Sequence, residues 1–203
     1  MSIVKLDKDT VEKIAAGEVI ESPLSIVKEL VENSVDAGSK NITVEIRNGG
    51  KSFIRVTDDG EGMNEDDIDL AFEKHATSKI EKFDDLYTIA SLGFRGEALP
   101  SIASVSKVTA ISKTKDASVG TKLDLKGREI KKSSIATNKG TSIVVEDLFY
   151  NMPARRKFLK SDMAETNKIS KLMYAFAIGY KGVSFKYIKD DRVQFQSNPN
   201  LER

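Results

Sequence analysis

Apolar residues recur along this chain at two spacings, and the balance between the two changes near residue 104. Before that point, apolar positions three or four residues apart predict helices. The clearest helix starts at Ser22 and Pro23, runs to about Asp36 and stops before Gly38. Two alternating runs, NITVEIR and SFIRVTD, flank the turn NGGK and therefore predict a β-hairpin.

The rest of the chain continues with both kinds of element. Strand-like alternation dominates from 104 to 148 and returns near the end, in SKVTAISK, VGTKLDLK, a short stretch near REIKK, GTSIVVEDL, VSFKYIKD and RVQFQS. Further helices are expected from Asp7 or Asp9 to near Gly17, from Asn64 through Phe72, in DDLYTIASL, from near Glu97, over 153–160, and from about Asp162 to Tyr180, with KHATSKI as a loop. The pattern predicts one α+β domain over 1–203, with helices covering one face of a mostly antiparallel mixed sheet.

Composition narrows the class of protein. A hydrophobic content of 39% in 203 residues suffices for an ordinary core. No apolar run approaches the roughly 18 residues that a membrane span needs, and MSIVKLDKDT lacks the apolar stretch of a signal peptide, so we expect a cytoplasmic protein without a membrane partner. The chain has no cysteine and a single histidine, His75, so any metal ion would be bound through oxygen atoms.

Charge is unevenly distributed along the chain, although the net charge is only +1. Residues 1 to 104 carry 12 Lys and Arg against 21 Asp and Glu, whereas residues 105 to 160 carry 13 against 5. Such asymmetry can mark a surface that binds a polyanion, but charge alone favours an ordinary solvated surface on which folding mixes the charges again.

The helix from Pro23 carries polar residues that have a possible chemical role. Glu29, Asn33 and Asp36 lie within about 60° of each other around the helix. The apolar residues predicted to cluster on the opposite side are Leu24, Val27, Val31 and Val35. Considered alone, the three polar residues are what the wet face of any amphipathic helix contains.

The strand FIRVTD places a carboxylate where a core residue is expected. Ile54, Val56 and Asp58 share one strand face, and a buried carboxylate needs hydrogen-bond donors, whereas Asp59 points away. Gly60 and Gly62 follow, and they would let a flat ligand lie against the backbone. A plain turn or a calcium loop is the alternative for DDGEG, but the further acidic positions of an EF-hand are missing.

These pieces together predict a nucleotide site. Asp58 can accept a hydrogen bond from an amino group such as that of adenine, while the amides of LGFRGEAL and a helix start near Glu97 can bind phosphates. Asn33 offers an oxygen to magnesium, and Glu29 can polarise a water molecule. The chain contains no GxxxxGK[ST] loop, and its glycines do not follow the Rossmann pattern.

At these residues the sequence resembles the GHKL ATPase superfamily and, within it, the MutL family of DNA mismatch-repair proteins. ELVENSVDA and DDGEGM alone would leave gyrase-type topoisomerases, heat-shock chaperones and sensor histidine kinases open. AAGEVI, GFRGEAL and LFYNMPARRKF are specific to MutL-like proteins, and the matching segments run nearly end to end. The resemblance implies a GHKL (Bergerat-type) sandwich; phosphate transfer to histidine is disfavoured, because His75 in KHATSKI suits a structural or lid role.

The resemblance also implies roles for individual residues. Glu29 corresponds to the general base that activates water, Asn33 to the magnesium ligand and Asp58 to the adenine-recognising carboxylate, with Asp36 in support. The residues that match the remaining ATP-binding motifs and the lid over the phosphates are Gly60, Gly62, Thr77, Ser78, Lys79, Gly93, Phe94, Arg95, Gly96, Glu97, Ala98 and Thr141.

Partners follow from the same resemblance. ATP and Mg²⁺ binding would order the lid and the dimerisation segment 1–21, two copies would form a homodimer, and slow hydrolysis would reset the clamp. A MutS-like mismatch-recognition protein and DNA phosphates are the further expected partners. The basic residues expected to contact DNA as a group are Lys122, Lys126, Arg128, Lys131, Lys132, Arg155, Arg156 and Lys157. Taken individually, each is more simply an ordinary solvated charge, and a packing role around the 153–160 helix is the alternative for Arg155.

MutL-like proteins normally continue into a second α/β domain, which supplies a lysine to the γ-phosphate, and a C-terminal dimerisation domain. Neither follows NPNLER in this sequence. We therefore expect a weak Mg-dependent ATPase whose hydrolysis is impaired, or a module that binds nucleotide or DNA without turnover.

Overall fold

The centre of the molecule is an eight-stranded sheet, seen in a computed structural model that describes residues 4, 7, 15–17, 19–73 and 97–199. The strand order is β5-β4-β3-β6-β2-β1-β7-β8. Among the described strands, β1 and β7 pair in parallel and the other neighbours pair antiparallel. The strands are β1 Asn41–Arg47, β2 Phe53–Asp58, β3 Lys107–Lys113, β4 Gly120–Lys126, β5 Glu129–Ile135, β6 Gly140–Glu146, β7 Ser184–Lys189 and β8 Arg192–Gln196.

Helices connect these strands. They are α1 Pro23–Asp36, α2 Glu65–Leu70, α3 Ala98–Val105, α4 Pro153–Phe158 and α5 Asp162–Gly179, with a 3₁₀ turn at Asn48–Gly50. Residues 15–17 and 19 are also helical. Local chemistry sets several of the ends: Pro23 begins α1, the Asn64 side chain accepts from the amides of Asp66 and Asp67 at the start of α2, and the Ser161 hydroxyl accepts from Ala164 at the start of α5.

The core lies between the helices and one face of the sheet. Alternate strand residues point to that face, and the helices add their apolar stripes; each buried Ile, Val, Leu or Phe side chain stabilises the fold by about 1.5–3 kcal/mol. The largest fully buried side chains include Ile26, Ile42, Ile46, Ile54, Ile68, Ile102, Leu123, Leu148, Phe149, Phe185 and Tyr187.

The opposite face of the sheet, here called the open face, is largely polar. Thr57 on β2 and Ser142 on β6 share a hydrogen bond of 2.8 Å across it. Glu45 is only 4% exposed, and its carboxylate forms ion pairs with Arg47 and Arg55. Charged residues of opposite sign therefore meet on this face, as cross-strand neighbours do in stable sheets.

The predicted α+β class and the mostly antiparallel mixed sheet are confirmed. Several details are corrected. The stretch near REIKK is a full strand, β5, and the helix capped by Asn64 ends at Leu70 rather than Phe72. On α1 the buried stripe contains Ile26, Leu30 and Ser34, while Leu24 and Val35 are only half-buried.

Some sequence predictions lie outside the described residues, namely the loop KHATSKI and the helix DDLYTIASL. Within the described parts of the chain, none of the helices combines the length and the apolar character that crossing a bilayer requires. The expected cytoplasmic location stays a prediction.

Candidate nucleotide site

Asp58 lies at the end of β2, and three hydrogen-bond donors converge on its carboxylate. The amides of Gly60 and Thr141 donate to Oδ1 at 2.9 and 3.2 Å, and the Ser34 hydroxyl donates to Oδ2 at 2.7 Å. Because an ionised carboxylate has about four acceptor positions, these donors leave room for one more. The prediction that Asp58 meets hydrogen-bond donors is thus confirmed, and one of the donors is the amide of Thr141.

Ser34 is a site residue that the sequence analysis missed. It is 4% exposed, and its hydroxyl lies 3.1 Å from Leu30 O as well as 2.7 Å from Asp58 Oδ2. A hydroxyl has one proton, so these two acceptors compete for it. The signal was present in the sequence, because a serine within an apolar helix stripe must find a polar partner.

Ser112 and Thr141 continue the polar network below Asp58. Their hydroxyl oxygens are 2.8 Å apart, and the Ser112 oxygen also accepts from the amide of Met63 at 2.8 Å. Ser112 shares the buried face of β3 with Val108 and Ala110. The rule that singled out Asp58, a polar residue on an apolar strand face, would therefore also have found Ser112.

Burial raises the pKa of the Asp58 carboxyl, while the hydrogen bonds from Ser34 and from the amides of Gly60 and Thr141 act in the opposite direction. Desolvation penalises the charged form and hydrogen bonds to the carboxylate favour it. A donated hydrogen bond from a ligand would favour the charged form further. Asp58 is thus a carboxyl whose protonation responds to what occupies the site.

The two glycines after Asp58 are explained by contacts inside the protein. A Cβ added at Gly60 would lie 2.7 Å from Ser39 Oγ and 2.9 Å from Ala37 Cβ, and one at Gly62 would overlap with the carbonyl of Lys113. Gly62 also has φ +74°. Contacts inside the protein thus give a reason of their own for both glycines, and the room that they would leave for a flat ligand stays a prediction.

Glu29 and Asn33 lie one turn apart on a half-buried side of α1. The Glu29 carboxylate is 3.9 Å from Lys28 Nζ. Asn33 directly precedes Ser34, so the residue predicted to bind magnesium is adjacent in sequence to the residue that contacts Asp58. Asp36 is exposed at the end of α1. The pKa of the Tyr180 hydroxyl is raised mainly by burial, and the negative charges of Glu32 and Asp36 add to this effect.

The chemistry of these groups fits a magnesium ion that is bound mainly by a nucleotide. Magnesium in such sites takes one or two oxygen ligands from the protein and the rest from phosphates and water. An amide oxygen at Asn33 with a carboxylate one turn away supplies such a set. The part of the chain that the structure describes contains no cluster of three or more Asp, Glu, His or Cys side chains that could hold a metal ion.

The predicted phosphate-binding lid is only partly described. Thr77, Ser78, Lys79, Gly93, Phe94, Arg95 and Gly96 lie outside the described residues. Glu97 and Ala98 are half-buried, and Ala98 is the first residue of α3, so the helix predicted to start near Glu97 is present. This helix packs against α1, which carries Glu29 and Asn33.

The basic residues predicted to contact DNA do not share one surface. Lys122, Lys126 and Lys131 lie on the open face, and Lys122 is 2.7 Å from Asp124. Lys132 lies on the opposite side and is 2.7 Å from Asp69. Arg128 is in the β4–β5 turn, and Arg156 and Lys157 are exposed on α4. Arg155 is half-buried and donates to Gly17 O and Ile20 O.

A cavity of about 440 Å³ opens beside α4 and contains none of the residues predicted to bind ATP. Its walls are formed by residues before α1 and by the segment that ends in α4. They are Gly17, Glu21, Phe149, Arg155, Phe158 and Leu159.

Comparison with known proteins gives consistent matches. The profile of the family described as histidine kinase-, DNA gyrase B- and HSP90-like ATPases matches residues 20–152. The DNA mismatch repair protein MutL of Caldanaerobacter subterraneus subsp. tengcongensis is 56% identical over 196 residues, which is 96% of this chain and 33% of that protein. MutL of Thermoanaerobacter pseudethanolicus is 54% identical over 200 residues, 97% of this chain and 33% of that protein.

Solved structures match in the same way. The Aquifex aeolicus MutL ATPase domain complexed with ADP has a TM-score of 0.76 and 32% identity, and the match covers 90% of this chain and 66% of that one. The chain therefore spans about a third of the length of the curated relatives it matches and about two thirds of the solved ATPase domain.

Proposed function

The chain belongs to the family of histidine kinase-, DNA gyrase B- and HSP90-like ATPases, in the group that contains the MutL proteins, and we propose that it binds ATP with magnesium through Asp58, Asn33 and Glu29. In this function the nucleotide state of the domain controls events in DNA mismatch repair. The ADP found in the Aquifex aeolicus relative supports a nucleotide as the ligand.

The observation that carries the proposal is the environment of Asp58. A half-buried carboxylate with three donors already in place has an acceptor position left for the amino group of adenine. Guanine presents an oxygen at the corresponding position, and two acceptors facing each other would leave the carboxylate unpaired. The site should therefore prefer adenine nucleotides to guanine nucleotides.

The residues of α1 would act on the phosphates. Asn33 would hold the magnesium ion, which neutralises phosphate charge when it is bound. Glu29 would accept a proton from the water that attacks the γ-phosphate, as a carboxylate within reach of that water can. The backbone amides near Glu97, at the start of α3, would bind phosphate oxygens, because amides at a helix start carry partial positive charge.

Dimerisation and DNA binding are further parts of the proposal, drawn from the MutL relatives. ATP would order the segment 1–21 and the lid, and two copies would then associate as a homodimer. Slow hydrolysis would reverse this association. A MutS-like protein and DNA phosphates would be the partners of the ATP-bound state.

Phosphate release under saturating Mg-ATP tests the enzymatic part. We expect slow release by the parent chain and a fall to background in Glu29→Gln, because the amide cannot accept the proton. Glu32→Gln is the matched control, since it makes the same change on the same helix and should keep the parent rate. Release that is unchanged in Glu29→Gln would contradict the role of Glu29. Background release by the parent itself would leave a domain that binds nucleotide without turnover.

A further inference from the structure

Arg155 contacts the backbone of residues before α1, so of its two predicted roles, DNA contact and packing, the structure shows the packing role. Its Nη1 donates to the backbone carbonyls of Gly17 and Ile20, the latter at 3.4 Å. Its Cζ also lies 5.9 Å from the centre of the Phe149 ring. Contacts with two carbonyls through one nitrogen, and with an aromatic ring through its planar face, hold this guanidinium against the protein.

The Arg155 guanidinium lies directly against the backbone of Gly17. A Cβ added at Gly17 would overlap with the Arg155 guanidinium. Any larger residue at 17 would therefore displace Arg155 or the backbone around it. The same backbone leads through Ile20, which is fully buried, into Pro23 at the start of α1. The position of Arg155 is thus linked to the helix that carries Glu29 and Asn33.

The segment that leads to Arg155 also contacts the end of α3. The amide of Phe149 donates to Val105 O at 2.7 Å, and Asn151 Nδ2 donates to Ser104 O at 2.8 Å. These are the orphan carbonyls at the C-terminal end of α3. Asn151 Oδ1 is buried without a hydrogen-bond partner among the described residues. The hydrogen bond that Nδ2 donates to Ser104 O is therefore the contact that fixes this side chain.

Phe149 adopts a backbone conformation that a bulky residue rarely takes. Its φ is +59°, and it is only 1% exposed. The surrounding contacts, which include Arg155 on its ring and Val105 on its amide, hold it there. Residues kept in such conformations are found where a structure needs one defined arrangement.

We propose that Arg155 is a positioning residue that, through Phe149 and Asn151, couples residues 15–20 to α3 and so to the phosphates of a bound nucleotide. The coupling rests on the proposed function, because it needs a nucleotide whose phosphates are bound at the beginning of α3. The proposal names the residues through which nucleotide binding at that site would change the stability of the chain before α1.

The contacts connect the residues before α1 to the end of α3 without a gap. At one end, Arg155 bridges Gly17 and Ile20; in the middle its guanidinium lies over Phe149; at the other end Asn151 and Phe149 bind the last carbonyls of α3. Spatial contiguity does not by itself establish coupling, so the test must measure an effect of the nucleotide on residues 15–20.

Hydrogen exchange measured by mass spectrometry on a peptide spanning 15–20 provides that test. The chain is compared with and without a non-hydrolysable ATP analogue and magnesium, in the parent, Arg155→Lys, Asn151→Ala and the control Arg156→Lys. The amide of Ile20, which donates to Ala16 O at 2.8 Å, lies within this peptide. We expect the analogue to slow exchange about tenfold or more in the parent and in Arg156→Lys.

In Arg155→Lys we expect this nucleotide-dependent slowing to be lost, because a lysine ammonium keeps the charge but not the planar guanidinium that lies over Phe149 while its Nη1 reaches both carbonyls. Asn151→Ala should lose it as well, although this residue does not touch 15–20. The analogue is added at a concentration that calorimetry shows to saturate each variant, so a lost difference between the two conditions reports lost coupling and not lost binding. Circular dichroism checks that each variant folds.

Two results would overturn the proposal. One is a parent chain that binds the analogue by calorimetry but shows no change in exchange at 15–20. The other is full nucleotide-dependent slowing in Arg155→Lys or in Asn151→Ala. A parent that does not bind the analogue at all would instead remove the proposed function, and the coupling with it, so the calorimetric titration separates the two failures.

Discussion

At the scale of single residues, the site depends on how burial and hydrogen bonding act on one carboxyl. Burial raises the pKa of Asp58, and the bonds from Ser34, Gly60 and Thr141 oppose this effect. Binding of an adenine amino group needs the ionised carboxylate as an acceptor. Nucleotide affinity should therefore fall as the pH drops through the pKa of Asp58.

Replacing Ser34 by alanine should move this pH dependence. The substitution removes a hydrogen bond that lowers the pKa of Asp58, so the pKa rises and affinity is lost at a higher pH than in the parent. Adenosine is the suitable ligand, because it has no phosphate that titrates, and calorimetry across the acidic range gives the midpoint. Ser142→Ala on the open face is the matched control; an unshifted midpoint in Ser34→Ala would contradict the role of its hydroxyl.

Asp58→Asn should separate binding from stability. The folded-state pKa of Asp58 is raised, so its contribution to stability is present at low pH and is lost as the pH rises through that pKa. An asparagine cannot ionise; its oxygen can accept from Gly60 and Thr141, and its amide can donate to Ser34. We expect a melting temperature at neutral pH equal to or above that of the parent. A marked fall in melting temperature would show that the charge itself stabilises the fold.

At the scale of elements, the loop after β2 is shaped by its contact with the end of β3. Gly62→Ala should destabilise the protein because φ is +74° and the new Cβ would overlap with Lys113 O. Gly182→Ala is the control, with φ +82° and nothing within 4 Å of the added Cβ. Chemical denaturation should show a loss of about 1 kcal/mol for Gly182→Ala and a clearly larger loss for Gly62→Ala. Equal losses would contradict the importance of the contact with β3.

The spacing of apolar residues predicted most helices and strands, because each of them buries one face in the core. The alternation that identified β2 also placed Asp58 correctly, since two strand neighbours bury Ile54 and Val56. It did not identify Ser34 or Ser112, because serine occurs both on the wet and on the buried faces of helices and strands, and only the fold shows which polar partners these two hydroxyls have. Being apolar does not by itself bury a residue: Met163, in the first turn of α5, lies outside the buried stripe of that helix and is 69% exposed.

Contacts between distant segments could not be predicted. Arg155 is adjacent in sequence to Arg156, and both resemble ordinary basic residues of a helix. Only the fold brings Gly17 and Ile20 to Arg155, across more than 130 residues of chain. For the same reason, the eight basic residues grouped by sequence separate onto different surfaces.

At the scale of the whole molecule, this separation gives a test of DNA binding. Lys126 and Lys131 lie on the open face, while Lys132 is hydrogen-bonded to Asp69, which raises its pKa. If the open face contacts DNA phosphates, Lys126→Ala and Lys131→Ala should each reduce the salt dependence of DNA affinity by about one counterion, and Lys132→Ala should not. Fluorescence anisotropy at several salt concentrations measures this. An equal effect of Lys132→Ala would argue against the open face.

The most direct test of the central claim is a calorimetric titration of a non-hydrolysable ATP analogue with magnesium into the parent chain and into Asp58→Asn. We predict saturable binding by the parent and a loss of affinity of about 10- to 100-fold in the variant, the range expected when one charged hydrogen bond to a ligand is removed. Unchanged affinity in a folded Asp58→Asn variant, or no binding by the parent, would contradict the assignment of Asp58 as the carboxylate that recognises adenine.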